Sequence, residues 1–108
     1  GGHGSFRSWL RFAKTANGSI EIDQGAADAL RAGGTSLLPV GVRSVSGDFA
    51  AGDAVDVACD GVQIGKGLVS YSASDLRTVA GLKTAEVLAL MPSAPDEAIH
   101  RDRFVLLP

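Results

Sequence analysis

Glycine punctuates this chain. Fourteen of its 108 residues are glycine, and they fall at the bends between short runs in which apolar and polar residues alternate. Period-two alternation puts successive side chains on opposite faces of a strand. Glycine at the bends permits turns and lets one backbone approach another closely. Ile20 and Ile22 alternate with Ser19, Glu21 and Asp23, Val55 and Val57 flank Asp56, and Val62 and Ile64 lead into Leu68 and Val69. Asp60-Gly61 is a hairpin signal between two of these runs, and Asn17-Gly18 is a turn signal ahead of the first. Gly65 and Gly67 mark bulges or close backbone approach in the returning strand. The pattern implies a mainly β fold with short helices: a small, partly open barrel or sandwich with one or two helices attached.

The remaining elements follow from local chemistry. Ser5 to Ala13 reads as a strand with Arg7 and Arg11 on one face. Asp23 stands at an N-cap position ahead of a short helix whose face is Ala26, Ala29, Leu30 and Gly33, and Gly33-Gly34 ends it. Pro39 and Gly41 favour a bend or an edge before the run Val42–Val45. Ser72 with Asp75 resembles a capping box for a helix with Leu76, Val79 and Ala80 on one face, stopped by Gly81. Thr84 is placed to cap a second short helix carrying Val87, Leu88 and Met91, which Pro92 ends. Ala98 to Leu107 reads as a closing strand. Residues 1–8 are expected to be a linker or cloning tail, and 9–108 one domain.

Composition bounds the function. With 45% hydrophobic residues the chain can build a core and is not a disordered segment. Ten basic against twelve acidic residues give a net charge of −2, unlike dedicated nucleic-acid binders, which draw most of their affinity from neutralising phosphates. The single cysteine, Cys59, has no partner for a disulfide or a metal site, which fits a reducing cytoplasm, and it reads as a small core residue. No run approaches the ~20 apolar residues that span a bilayer, and Gly1 to Ser5 lack the basic and apolar regions of a signal peptide. A cytoplasmic protein without a membrane partner is the expectation.

Polar constellations are few. His100-Arg101-Asp102 is the densest; it suits either an anion contact by Arg101 or a tie between the last strand and a neighbouring loop. The turn from Arg31 to Ser36 joins a basic residue, backbone N–H groups and two hydroxyls, and reads either as a phosphate-holding turn or as a plain helix end. No serine sits in a nucleophile-elbow context, and Gly65-Lys66-Gly67 lacks the spacing of a nucleotide loop. No catalytic residue and no metal ligand is expected in this fragment.

Several segments together resemble a known family. Asp23-Gln24-Gly25-Ala26, Ser36 to Val42, Val45 to Phe49, Gly52 to Val55, Gly65 to Ser72 and Ile99 to Asp102 are similar, in order and spacing, to the PUA domain of bacterial glutamate 5-kinases. Trp9 fits the junction that precedes it. The resemblance implies a PUA-type pseudo-barrel of mixed strands with a small helix packed at its side, and a non-catalytic accessory module. It implies as partner an N-terminal amino-acid-kinase domain of the same chain, which uses ATP and magnesium, in a parent that is a homo-oligomer. No cofactor is expected in this fragment. Elsewhere in the fold family structured RNA is held beside the first helix, which makes Arg31, Gly33, Gly34, Ser36, Leu37 and Arg101 the RNA-binding candidates here.

Overall fold

The computed structural model describes residues 6–107. Five strands, β1 (Gly18–Ile22), β2 (Val42–Gly47), β3 (Ala54–Cys59), β4 (Val62–Leu68) and β5 (Phe104–Leu106), form one sheet in the order β2-β1-β3-β4-β5. β1 runs parallel to β3, and every other neighbour pair is antiparallel. Three short helices accompany the sheet: α1 (Gln24–Ala32), α2 (Ala73–Val79) and α3 (Thr84–Leu90). This is the mainly β architecture with short helices that the glycine-divided alternation implies, and its mixed strands are what the family resemblance implies.

The alternation sorts the two sheet faces. Ile20, Ile22, Val55, Val57, Ile64 and Phe104 point into the main core, joined by Ala27 and Leu30 of α1, Leu76 and Val79 of α2, and Val87 of α3. Ala54 and Val105 point the other way, onto Leu10, with Phe6 and Leu68 alongside. Each fully buried aliphatic side chain contributes roughly 1.5–3 kcal/mol, so these short helices are held by packing rather than by intrinsic propensity.

Several local signals act as expected. The Asp23 carboxylate accepts the Ala26 N–H at 2.7 Å and caps α1, and the Ser72 hydroxyl accepts the Asp75 N–H at 3.2 Å to start α2. Asp60 and Gly61 both take positive φ, 51° and 80°, and close the β3–β4 hairpin from Cys59 to Val62. Cys59 is buried in the core.

Four expectations are corrected. Trp9–Ala13 is a π-helical turn, not a strand: Phe6 and Leu10, four residues apart, share the inward side, a helical spacing, so Arg7 and Arg11 do not sit on one strand face. Gly18 is not a turn residue but the first residue of β1, where a Cβ would lie 2.7 Å from the Phe49 ring. Lys83, not Thr84, precedes α3, because the Glu86 carboxylate accepts the Lys83 N–H at 2.9 Å. The closing strand is interrupted: Ile99 makes an isolated bridge to Leu37, Arg101–Arg103 form a 3-10 turn, and only Phe104–Leu106 is strand. There the Arg101 N–H goes to the Ser36 hydroxyl at 2.8 Å instead of into a ladder.

The loop before β3 is tied by one carboxylate. Asp53 accepts the Ala50 N–H at 2.9 Å, and its own backbone bonds Ala50 and Val69. That backbone hydrogen bond first, then one from the Asn17 side chain, hold the Asp53 carboxyl below the usual carboxylate range, outweighing desolvation. A lowered native pKa stabilises the fold above the unfolded value of about 4 and is lost as pH falls through the native one. Asp53→Asn is therefore expected to lower the melting temperature at pH 7 and to flatten its decline below about pH 4. Melting curves from pH 7 to pH 2 check this; acid limbs of equal slope in the two proteins would refute it.

Candidate functional site

The polar cluster singled out in the sequence is built where the chain leaves α1. The Gly33 N–H closes the helix on the Leu30 carbonyl at 3.2 Å. Gly33 and Gly34 then turn the chain with φ of 87° and 76°, values that side-chain-bearing residues rarely adopt. A Cβ at either position would meet nothing within 4 Å, so the requirement for glycine here is conformational.

The turn is stitched to the far end of the chain. The Leu37 N–H donates to the Ile99 carbonyl at 2.9 Å, and the Ala98 N–H donates back to Leu37 at 2.7 Å. Two bonds from Arg101 extend the seam: its backbone N–H to the Ser36 hydroxyl at 2.8 Å and its guanidinium to the Gly34 carbonyl at 3.3 Å. His100 Nδ1 accepts the Asp102 N–H at 3.0 Å and caps the 3-10 turn. Of the two readings of His100-Arg101-Asp102, the tie to a neighbouring loop is what these bonds describe.

Against this seam lies a small cavity of about 80 Å³, lined by Arg7, Leu30, Gly33, Gly34, Thr35, Arg101, Phe104 and Leu106. A cavity of this size has room for several waters or a small polar group. Arg7, Arg101 and Thr35 are the lining residues whose side chains carry hydrogen-bond donors. Gly33, Gly34, Ser36 and Arg101 thus come together as the sequence suggested. Leu37 and Arg31 do not join them. Leu37 is a core residue, 2% exposed, and Arg31 sits on the hairpin side of α1, where its charge and that of Arg43 reach the Cys59 thiol. That thiol is pushed up, by burial first and then by Asp60 and Glu21. Arg7 is the charged lining residue outside the candidate set, because its approach to the turn depends on tertiary packing of a segment read as a strand.

Along the same face of α1, beside its first turns, runs a mainly apolar groove of about 220 Å³ between Gly25, Ala26 and Ala29 and the turn Leu38–Val40; Asp23, Ser36 and Thr35 also line it, and Thr35 is shared with the seam cavity. Among the described residues, no three His, Cys, Asp or Glu side chains converge to hold a metal ion, and no helix is long and apolar enough to cross a membrane.

A mixed five-stranded sheet with a helix between β1 and β2 and a glycine turn docked on the C-terminal segment is the architecture of a PUA domain. The PUA family pattern matches residues 18–91, and the chain belongs to that family. Among solved structures it is similar to a PUA domain from Aeropyrum pernix K1 in a tartrate complex, with a TM-score of 0.61 and 28% identity over 79% of this chain and 41% of that one. It shares its fold with a conserved PUA domain protein from Thermoplasma acidophilum, TM-score 0.54 and 20% identity, over 95% of this chain and 56% of that one.

Its sequence relatives are glutamate 5-kinases, whose C-terminal region it resembles. It is 44% identical over 104 residues to that of Synechococcus sp. (strain JA-3-3Ab) and 46% over 103 residues to that of Deinococcus radiodurans. Each alignment takes in 94% of this chain but 28% of the relative, so the chain spans just over a quarter of the length of these kinases.

The seam makes a local prediction. Ser36→Ala removes the acceptor of the Arg101 N–H at a half-exposed position, and a lost hydrogen bond of this kind costs about 1 kcal/mol. Arg101 amide exchange is expected to speed up severalfold in Ser36→Ala, with exchange in β3 changed far less. Unaltered exchange at Arg101 would show that the seam does not depend on this bond.

Proposed function

We propose that this domain is the non-catalytic C-terminal module of a glutamate 5-kinase, and that it regulates the ATP-dependent phosphorylation of glutamate that opens proline synthesis. One observation carries the reading: identity of 44% runs through 94% of this chain while accounting for 28% of the relative. A near-complete alignment to a minor part of an enzyme is what an accessory domain gives. The kinase domain preceding it in the same polypeptide is its partner, ATP and magnesium belong to that domain, and the parent assembles as a homo-oligomer in the cytoplasm. The described residues fit such a role, since the one seryl oxygen at the seam, Ser36 Oγ, accepts from a backbone N–H rather than engaging a base.

A second reading has its own observation. Arg7, Arg101, Gly33, Gly34 and Thr35 converge on one small cavity, with Ser36 beside it, and the two guanidinium groups suit a phosphate of structured RNA. An RNA bound this way through one phosphate follows salt with a log–log slope of about −0.7 to −0.9 and loses affinity in Arg101→Ala.

The test compares the intact kinase carrying this domain with a version ending before Trp9, recording turnover, proline inhibition and oligomeric state. Removal of the domain is expected to change inhibition or assembly while leaving phosphoryl transfer measurable. If all three are unchanged, the regulatory reading fails, and titration of an RNA hairpin at low salt decides the second.

A further inference from the structure

The groove beside the first turns of α1 has a property that the seam cavity at its end lacks. Leu38 and Val40 stand 41% and 44% exposed at the turn that walls the 220 Å³ groove. Between them Pro39 is buried, and on its other side it meets Thr84, Val87 and Leu88 of α3; Leu88 is 40% exposed. One apolar surface therefore runs from the small residues of α1 across the Leu38–Val40 turn to α3. Neither the groove nor the gap beside Pro39 is lined by Lys or Arg.

From this surface we infer the docking face for the kinase domain of the same polypeptide, an inference that rests on the reading proposed above. The magnitudes choose the occupant. The three exposed side chains and the groove walls present on the order of 300 Å², the scale of patch that marks an interaction site. Stable association of separate molecules buries about 800 Å² per partner, so a second copy of this chain gains too little here. Interfaces between domains of one chain start near 600 Å² in total, or roughly 300 Å² a side. A tether raises the effective concentration to about the millimolar range, so a patch this small suffices. The relatives supply such a tethered partner, since about three quarters of their length lies outside the region matched. Nucleic acid is disfavoured by the absence of basic lining, and Gly25, Ala26 and Ala29 leave room for an apolar side chain from a protein partner to enter.

Hydrogen exchange reads the face directly. The full-length kinase carrying this domain is compared with the 108-residue chain alone, following residues 38–42 and 84–91. Exchange at both is expected to slow at least about tenfold in the full-length protein. Leu88→Glu and, independently, Val40→Lys should each return it to the isolated rate; both positions are exposed, and circular dichroism of the isolated variants confirms folding. Equal rates in the two unsubstituted proteins overturn the inference. So does concentration-dependent protection of the isolated chain with a doubled mass, which would place a second copy on the face. The two proposals fail separately. Equal exchange with altered inhibition on removing the domain leaves the regulatory reading standing without this face. Protection with unchanged kinetics leaves the face and removes the regulatory reading.

Discussion

Two residues of β4 do without side chains so that the end of the chain can lie against it. A Cβ on Gly65 would come within 2.6 Å of the Phe104 ring and 2.7 Å of the Val105 carbonyl, and one on Gly67 within 2.7 Å of Ile99. Phe104 and Val105 belong to β5, paired with β4 at Gly67 and Lys66, and Ile99 is fully buried. The close approach thus fixes where the last segment runs. Ile99 in turn holds Leu37, and two residues on, Arg101 binds Ser36 and Gly34. The geometry of the α1 turn therefore depends on two missing Cβ atoms in a strand some thirty residues along the chain. Close-packed interiors transmit displacements in this way because a neighbour seldom has space to yield.

With the seam in place, two unlike surfaces follow one another along α1. Near Leu30 and Gly33 the wall includes Arg7 and Arg101 and suits a small anion; near Gly25, Ala26 and Ala29 it is mainly apolar and suits packing. A net charge of −2 is compatible with both, because the basic side chains are spread out: Arg43 pairs with Asp60 at 3.7 Å, Arg77 donates to the Gly47 carbonyl at 2.6 Å, and Lys66 donates to the Lys14 carbonyl. Such exposed contacts contribute little stability, but they keep these cations away from the cavity.

Much of this was legible because short-range chemistry decided it. Asp23 caps α1, Asp60-Gly61 turns the hairpin, and the glycines of β4 admit close neighbours, all as their residue types require. What was not legible depended on distant partners. The alternation of bulky and basic residues around Arg7 and Trp9 implies a strand, whereas Leu10 is captured by Ala54 and Val105, far along the chain. Gly18 carries a hairpin signal, yet its use is set by Phe49. The closing strand breaks where the Ser36 hydroxyl, sixty-five residues away, takes the Arg101 N–H. Within the candidate site, glycine and serine positions were readable from the turn; the departure of Arg31 and the arrival of Arg7 were matters of helix phase and tertiary packing.

The most direct test of this chain of dependence is the NMR spectrum and denaturant stability of Gly67→Ala, with Gly25→Ala as control. A Cβ at Gly25 meets only an ordinary contact, 3.5 Å from the Asp23 carboxylate, so that variant is expected to equal or slightly exceed the parent in stability. Gly67→Ala is expected to lose about 1–3 kcal/mol, the usual cost of overpacking, and to shift the amide signals of Leu37 and Arg101 while leaving the β1–β2 ladder in place. Full stability with unshifted Leu37 and Arg101 would contradict the account, because the last segment would then not be positioned by its approach to β4.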